Sequence, residues 1–371
     1  MPVKKRQLSP FEIKINTWIN EHLTRIPFVQ KIFFIDHLRT MVHAGLSLVE
    51  ALKILEKEVE NKKLQRIVTR IKEEVEKGRP LSEVLNEHPD AFPPIYVKMV
   101  EAGEMAGKLE DSLEQVVIQM KKYHDLLSSV RGAMIYPAVI IFAMSSVAIL
   151  MVTVVLPKLM VIFKDFDSEL PLATRIMMKI TDFMGNPINL LIIFILISAF
   201  FTSFAYGLKK SRKFKETIHT INLRIPIFGK VIKQINLARF SLTLSSLLKS
   251  TVPIISAVEI SSETVSNTQF QNALKYTAEK LKSGIQLSEG LAEYSHLFPP
   301  MVTEMILVGE RTGQIDHMLN ELSDFYSNEV DKTMKNFTTI IEPVVILVMG
   351  LAVAGMAVAV VMPMYSLVQN F

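Results

Sequence analysis

The stretch FPPIYVKMVEAGEMAG at residues 92–107 decides the fold, because it occurs again as FPPMVTEMILVGERTG at residues 298–313. The two stretches are 206 residues apart, and the same shift relates further pairs along the chain without a gap. Those pairs are Phe34 and Phe240, Ala51 and Ala257, Gly78 and Gly284, Leu81-Ser82-Glu83 and Leu287-Ser288-Glu289, Pro137 and Pro343, and Pro157 and Pro363. Duplication of a whole unit indicates a scaffold built from two copies before it indicates an enzyme.

Three apolar runs are long enough to cross a lipid bilayer. The 26 residues between Arg131 and Lys158 carry no charge and are centred on 138–156, and the 26 between Asp182 and Lys209 are centred on 187–206. The third run, 344–362, follows the last charged side chain of the chain. Because about 20 helical residues cross a hydrocarbon core of roughly 30 Å, the sequence predicts three membrane-spanning helices.

The composition limits the classes of protein that fit. Hydrophobic residues make up 49% of the 371 and charged residues only 21%, which is too apolar for a purely soluble protein. A formal net charge of +4 does not indicate a nucleic-acid partner, and the lack of cysteine excludes disulfides and thiolate metal sites. Residues 11–23 mix apolar with charged side chains, so we expect no cleavable signal peptide.

Basic residues near the ends of the runs predict the orientation. Five lysines and arginines follow the second run at 209–215, whereas the basic and acidic residues of segment 158–186 cancel. Since the basic side of a membrane protein stays in the cytoplasm, both polar copies are expected there. The expected segments are a cytoplasmic lead-in 1–33, a first bundle 34–131, a span 135–157, an outer loop 158–186, a span 187–207, a basic lead-in 208–239, a second bundle 240–341, a span 343–364 and an outer C-terminus 365–371.

Helical periodicity dominates both polar copies. Leu64, Val68 and Ile71 recur at helical spacing, and Ser47 with Glu50 fits a capping box. Paired prolines and glycines mark helix starts and reversals. The sequence therefore predicts an all-α polytopic membrane protein with two similar bundles of about six helices, the last helix of each joining or closely preceding a span. The motif Arg25-Ile26-Pro27 with Lys31 is repeated as Arg224-Ile225-Pro226 with Lys230 at a shift of 199, and it is either a helix on the inner leaflet or a linker.

Signals for chemistry are missing from the sequence. There is no G-x-x-x-x-G-K-[ST], no G-x-G-x-x-G and no H-E-x-x-H, and the eight histidines lack ligand spacing. The apolar runs contain no ionisable side chain, although transporters usually need one near the midplane. We therefore expect no catalytic residue, no cofactor and no metal site.

Three features are left as candidates for binding or structure. Glu104 and Glu310, each between turn glycines, could cap a neighbouring helix, pair with a basic residue or present charge to a partner. The acidic residues of 56–60 and 73–76 form solvated faces, or a contact for a partner or a divalent ion. Small residues at a spacing that allows close helix packing occur in the last run at Gly350, Ala354, Gly355 and Ala359.

Taken together, these residues resemble the type II secretion F family, the polytopic platform proteins of type IV pilus and type II secretion machines. The resemblance extends from about Phe34 to Met364. Its most specific part is Tyr136-Pro137 with Leu156-Pro157, whose proline spacing returns as Pro343 and Pro363. The other matching residues are Phe92, Pro94, Gly103, Glu104 and Gly107, with Phe298, Pro300, Gly309, Glu310 and Gly313 in the second copy. Thr251 departs from the family pattern, in which a glycine such as Gly45 stands.

The resemblance implies a non-enzymatic platform in the bacterial inner membrane, present as a homodimer or higher oligomer. The implied partners are a hexameric secretion or pilus ATPase, pilin or pseudopilin subunits, other inner-membrane assembly proteins and the lipid bilayer, without nucleic acid. The alternative is a secondary transporter or another membrane scaffold built from repeats. Duplication of the polar parts, the odd number of spans and the uncharged runs argue against the transporter. Pilus assembly, protein secretion and DNA uptake fit the sequence equally well.

Overall fold

The chain is all-helical in the computed structural model, which describes residues 25–155, 157, 179, 181–226 and 228–369. No strand occurs among these residues, so the predicted all-α class is confirmed. The helices are α1 Phe28–His43, α2 Leu48–Glu58, α3 Lys62–Glu76, α4 Leu81–Asn86, α5 Pro94–Met105, α6 Leu109–Leu150, α7 Pro187–Lys210, α8 Arg212–Arg224, α9 Phe228–Lys249, α10 Ile254–Thr264, α11 Thr268–Lys282, α12 Leu287–Ala292, α13 Pro300–Thr312 and α14 Ile315–Gln369.

The repeat seen in the sequence is a repeat of helices. We call α1–α6 repeat 1 and α9–α14 repeat 2. A shift of 206 residues carries the bounds of α2, α3 and α4 onto those of α10, α11 and α12. The first residues of α5 and α6 likewise map onto those of α13 and α14. Pro94 and Pro300 occupy the first turn of their helices, where a missing N–H costs nothing.

The two repeats differ at their first helix. Helix α1 has 16 residues and α9 has 22, and the additional residues are at the N-terminal end of α9. They account for most of the difference between the shift of 199 for the Arg-Ile-Pro motif and the shift of 206 for the rest of the repeat. Pro27 is the N-cap of α1. Lys31 is buried, and its Nζ donates to the carbonyl of Asp90 at 2.7 Å. The inner-leaflet interpretation of this motif is therefore wrong for Lys31, whose ammonium group is used inside the bundle; burial also lowers its pKa.

Aromatic rings lie at the centre of each bundle. Phe34 packs on Phe92 in repeat 1 with ring centroids 5.7 Å apart. In repeat 2, Phe298 contacts both Phe240, at 5.6 Å, and Phe270, at 5.3 Å. All five rings are almost completely buried. Phe92 and Phe298, two of the candidate motif residues, are thus core residues that hold α5 and α13 against the first helix of their repeat.

The described residues divide into two compact units. One unit contains the residues through Ser128 together with Ile232–Glu329, and so holds the polar helices of both repeats. The other contains Ser129–Val231 and the residues from Val330 onward. Three helical segments are long and apolar enough to cross a membrane, Leu109–Val155, Leu191–Leu208 and Ile315–Gly355. This agrees with the three predicted spans; Leu156 and most of the expected outer loop 158–186 lie outside the described residues.

Both long helices continue through a proline. Pro137 lies inside α6 and Pro343 inside α14. Proline has no N–H, so Pro137 cannot donate to the carbonyl of Ala133 one turn earlier. The hydroxyl of Thr338, on α14, lies 3.5 Å from that oxygen. Threonine side chains of neighbouring helices commonly satisfy such freed groups in membrane proteins. A π-helical turn, Met151–Val155, follows α6 just before Pro157.

Candidate functional site

The carboxylate of Glu104 caps the short helix α4. The backbone N–H of Leu81 donates to one carboxylate oxygen at 2.6 Å, and the N–H of Ser82 donates to the other at 2.9 Å. The Ser82 hydroxyl donates to the same oxygen as its own N–H. One carboxylate thus accepts three hydrogen bonds at the positive end of a helix, where negative charge is favoured.

Glu310 makes the same cap in repeat 2. The N–H of Leu287 donates to it at 2.6 Å and that of Ser288 at 3.3 Å, and the Ser288 hydroxyl also donates. The repeated Leu-Ser-Glu and Gly-Glu sequences therefore encode two halves of one hydrogen-bonded site. Of the three roles open for these glutamates from the sequence, the geometry matches the helix cap.

The cap comes from a distant residue because the local one cannot provide it. The N-cap position of α4 is Pro80, whose side chain has no acceptor. The N-cap of α12 is Gln286, which makes no side-chain cap bond among the described residues. A glutamate 22 to 23 residues later on the chain satisfies the free N–H groups instead. This ties the start of α4 to the end of α5, and the start of α12 to the end of α13.

Glycines let the following helix approach the glutamate. A Cβ atom on Gly103 would overlap the side chain of Ser112, and one on Gly309 would lie 2.8 Å from the Cα of Ile315. Gly107 and Gly313 have positive φ angles, 68° and 72°, at the reversal into α6 and α14. The Gly-Glu-x-x-Gly sequence therefore combines a close helix contact, a helix cap and a left-handed turn.

Arg79, which no sequence pattern singled out, joins helices α3 and α4 in repeat 1. Arg79 contacts Glu74 at 3.0 Å, Glu83 at 2.6 Å and Glu87 at 2.8 Å. Hydrogen bonds from Lys77 and Arg79 lower the pKa of Glu74 to about 2. Another member of the acidic set, Glu56, accepts from Lys72 at 2.8 Å. Oxygens of both carboxylates are thus engaged by basic side chains of the same bundle.

The structure also brings together polar residues from the two repeats. The Gln119 side chain is 2% exposed; its amide donates to the Thr243 hydroxyl at 3.4 Å and its carbonyl accepts from Ser246 at 2.9 Å. The Arg239 guanidinium lies 5.0 Å from the centre of the Tyr123 ring. Nothing in the sequence singled out these residues, because they are more than a hundred positions apart and lie in ordinary helical patterns.

The remaining candidate residues are those of the apolar spans, which lie apart from the two glutamates along the chain. Tyr136 is partly exposed next to Pro137. Gly350, Ala354 and Gly355 are exposed, and no described atom would contact a Cβ built on either glycine. The side chains of Ala359 and Pro363 lie outside what the structure describes, although both residues are within α14. Close packing at this small-residue face stays a prediction.

Comparison with known proteins accounts for both the repeat and its membrane helices. The family described as type II secretion system (T2SS), protein F, matches residues 34–157 and again 240–363. The type IV pilus assembly protein PilC of Thermus thermophilus is 34% identical over 90% of this chain and 82% of its own length. PilC of Pseudomonas aeruginosa is 33% identical over 90% of this chain and 88% of its own.

A secretion protein is similar over nearly the whole chain. The type II secretion system protein F of Pseudomonas aeruginosa is 29% identical over 99% of this chain and 92% of its own length. The two ranges matched by the family contain Glu104 and Glu310 and the apolar spans of α6 and α14. On this evidence the chain is a member of the type II secretion system protein F family.

Proposed function

We propose that this chain is a non-enzymatic platform protein of the inner membrane that couples a cytoplasmic secretion or pilus ATPase to filament assembly or disassembly. The filament subunits would be pilins or pseudopilins. The observation that carries this proposal is the duplicated helical bundle whose last helix, α6 or α14, continues without a break into an apolar span. The names of the relatives, pilus assembly protein PilC and secretion system protein F, support it.

Rigid attachment of each bundle to its span is what such a role requires. A motor that pushes on a bundle moves the span only if the bundle does not deform first. In each repeat the glutamate cap fixes α4 or α12 to the helix that precedes the span-bearing helix. We assign Glu104 and Glu310 this bracing role. The exposed spans around Tyr136 and Gly350 are the proposed contact surfaces for filament subunits and other inner-membrane assembly proteins.

The proposal needs both bundles in the cytoplasm. The absence of native cysteine makes single-cysteine labelling clean. Lys63→Cys in α3 and Lys275→Cys in α11 are expected to react with a membrane-impermeant maleimide only after the cells are opened. Ser168→Cys, in the expected outer loop, is expected to react in intact cells. Labelling of position 63 or 275 from outside would contradict the proposed topology.

Deleting the gene tests the function. We expect the deletion strain to lose surface filaments or a secreted protein, and the wild-type gene to restore them. In a separate experiment, we expect the motor ATPase to co-purify with this chain from membranes treated with a cross-linker. Imaging of filaments, secretion assays and DNA uptake assays on the same strain separate the three machines that the family serves. Unchanged filaments, secretion and uptake, or hydrolysis of nucleotide by the purified chain alone, would contradict the proposal.

A further inference from the structure

The two repeats of one chain contact each other through unlike faces. Repeat 1 contributes residues of α5 and α6, including Gln119, Lys122 and Tyr123, and repeat 2 contributes residues of α9, α10 and α14. A cavity of about 330 Å³ lies along this contact, lined by Pro94, Ile95 and Tyr96 from repeat 1 and by Thr243, Ile260 and Thr264 from repeat 2. The contact is therefore head-to-tail, because the residues that repeat 1 contributes are not the counterparts, at the shift of 206, of those that repeat 2 contributes.

Repeat 2 contacts repeat 1 through residues whose equivalents in repeat 1 are exposed. By the shift of 206, Thr243 corresponds to His37, Arg239 to Phe33 and Thr264 to Glu58. Thr243 is 2% exposed, whereas the His37 side chain is 52% exposed and Phe33 is 57% exposed. A groove of about 360 Å³ opens at these positions among the described residues. The repeat-1 groove, as we name it, is lined by Phe33, His37, Leu55, Glu58, Val59 and Leu64.

Repeat 1 contacts repeat 2 through residues whose equivalents in repeat 2 are likewise exposed. Ile95 is 6% exposed and its counterpart Met301 is 40% exposed; Gln119 is 2% exposed and its counterpart Phe325 is 41% exposed. We call the surface around Met301 and Phe325 the repeat-2 face. These two large apolar side chains are exposed, whereas the equivalent residues of repeat 1, Ile95 and Gln119, are buried.

We propose that the repeat-1 groove receives the repeat-2 face of a second copy of this chain, in a contact that repeats the one between the two repeats of a single chain. After the shift of 206, α2 and α10 have the same bounds, α1 and α9 end at the same position, and α5 and α6 begin where α13 and α14 begin. Most of the backbone shape that already fits once in the molecule is therefore available a second time. Phe325 then takes the place of Gln119 and lies against His37, the counterpart of Thr243.

The proposed contact between two copies would bury side chains that are exposed in the single chain. Phe33, Met301 and Phe325 are apolar, so their removal from water favours association. A head-to-tail contact uses two different surfaces, so it closes into a ring where the rotation between copies allows this and otherwise continues as an open assembly. The inference goes beyond the proposed platform function, since it concerns only how copies of the chain join.

Two single-cysteine chains test the contact in native membranes. His37→Cys and Phe325→Cys are placed on separate, differently tagged chains that are expressed together and treated with a short thiol cross-linker. We expect a cross-linked product that carries both tags. Each variant expressed alone is expected to give none, because like positions do not meet in a head-to-tail contact. Pairing His37→Cys with Lys275→Cys on the second chain is the matched negative control.

The positive control is a single chain that carries Lys122→Cys and Asp324→Cys, whose native side chains lie 2.6 Å apart across the contact within one chain. The proposal is overturned if this control reacts and the His37 and Phe325 chains do not. It is also overturned if His37→Cys links to His37→Cys, which indicates a two-fold contact. A link from His37→Cys to a cysteine placed at Ile13 of the same chain would overturn it too, since the N-terminal segment would then occupy the groove.

Charge substitutions give an independent measurement. Phe33→Lys and Phe325→Lys, both at exposed positions, are expected to abolish the two-tag product and to reduce the mass of the purified protein in detergent. Met105→Lys, at a position 85% exposed and outside both surfaces, is expected to leave both unchanged. Assemblies of wild-type mass in both phenylalanine variants, with an unchanged melting temperature, would contradict the proposed contact.

Discussion

Glu104 and Glu310 each hold a helix start that its own N-cap residue cannot hold. The sequence placed these two glutamates beside turn glycines, but it did not identify their partners, which are N–H groups 22 to 23 residues earlier. Ser82 and Ser288 were visible only as members of the repeated Leu-Ser-Glu triplet. A repeated serine at the second position of a helix that begins after proline or glutamine was the available signal.

Replacing Glu104 with glutamine is expected to destabilise the bundle by about 1–2 kcal/mol. Glutamine keeps the size of the side chain but loses the charge that favours the positive helix end. The fall in Tm, roughly 2–8 °C for a unit of this size, is measured by thermal unfolding of the detergent-solubilised chain. Glu310→Gln is expected to behave alike.

Glu101→Gln is the matched control for this prediction. Glu101 lies on the same helix, three residues before Glu104, and contacts only the exposed Lys98 in the described salt bridges. Because exposed ion pairs contribute little to folding stability, the Tm of the Glu101→Gln variant should stay within about 1 °C of that of the wild type. Equal losses in the Glu101 and Glu104 variants would contradict a specific capping role.

Thr251 adopts a backbone conformation that suits glycine. Its φ is 61°, and it stands where Gly45, with φ 86°, ends α1. The turns are the same: the N–H of Thr251 bonds to the carbonyl of Leu248 at 2.9 Å, as that of Gly45 bonds to Val42 at 2.9 Å. A β-branched residue is strained in this region by roughly 1–2 kcal/mol.

We therefore expect Thr251→Gly to stabilise the chain by about 1 kcal/mol, after allowing for the greater freedom of unfolded glycine. The reciprocal change, Gly45→Thr, is expected to destabilise it by about the same amount. Thermal unfolding of the two variants gives both signs in one experiment. A lower Tm for Thr251→Gly would show that the threonine side chain makes a compensating contact.

At the scale of elements, α3 and α4 are joined in repeat 1 by one guanidinium group. Arg79, in the turn between them, contacts Glu74 on α3 and Glu83 on α4. At the positions of Arg79 and Glu74, repeat 2 has Ile285 and Lys280. The ion-pair cluster is therefore specific to repeat 1, whereas the glutamate cap is common to both.

The cluster predicts how stability depends on pH. Hydrogen bonds from Lys77 and Arg79 lower the pKa of Glu74 from 4.5 to about 2, so the folded state favours the ionised carboxylate. Its stabilising effect is complete above the unfolded pKa and is lost as the pH falls from about 4.5 to about 2. Glu74→Gln should flatten the Tm-against-pH curve in this window, and Glu73→Gln, at an exposed neighbour, should not. Parallel curves for the wild type and Glu74→Gln would contradict the prediction.

Helix starts and ends were the part of the fold that local sequence specifies best. The capping box at Ser47 and Glu50 forms as predicted, with both reciprocal hydrogen bonds. The proline pairs stand at the starts of α5 and α13. These features need only neighbours within one turn of helix, so their signals are contained in a few adjacent residues. The role of Lys31 could not be predicted in this way, because its partner, the carbonyl of Asp90, is 59 residues away.

At the scale of the whole molecule, Gln119 joins the two repeats in one unit. Replacing it with alanine removes the acceptor of the Ser246 hydroxyl and leaves that buried hydroxyl without its partner. We expect a loss of about 1–3 kcal/mol, measured by thermal unfolding. The yield of the cross-link between Lys122→Cys and Asp324→Cys should also fall when Gln119 is replaced. Glu114→Ala, at an exposed position of the same helix, is the control, and equal behaviour of the two variants would contradict the prediction.

The sequence by itself determined the duplication, the helical class and the apolar spans, because each depends on residue type and on spacing along the chain. Only the tertiary structure decided which face of each repeat is covered. Gln119 and Phe325 occupy equivalent positions, yet one is 2% exposed and the other 41%. The difference arises from contacts between residues more than a hundred positions apart, such as Gln119 with Ser246. A repeat pattern fixes what two copies share, whereas packing of one copy on the other makes their surroundings unequal.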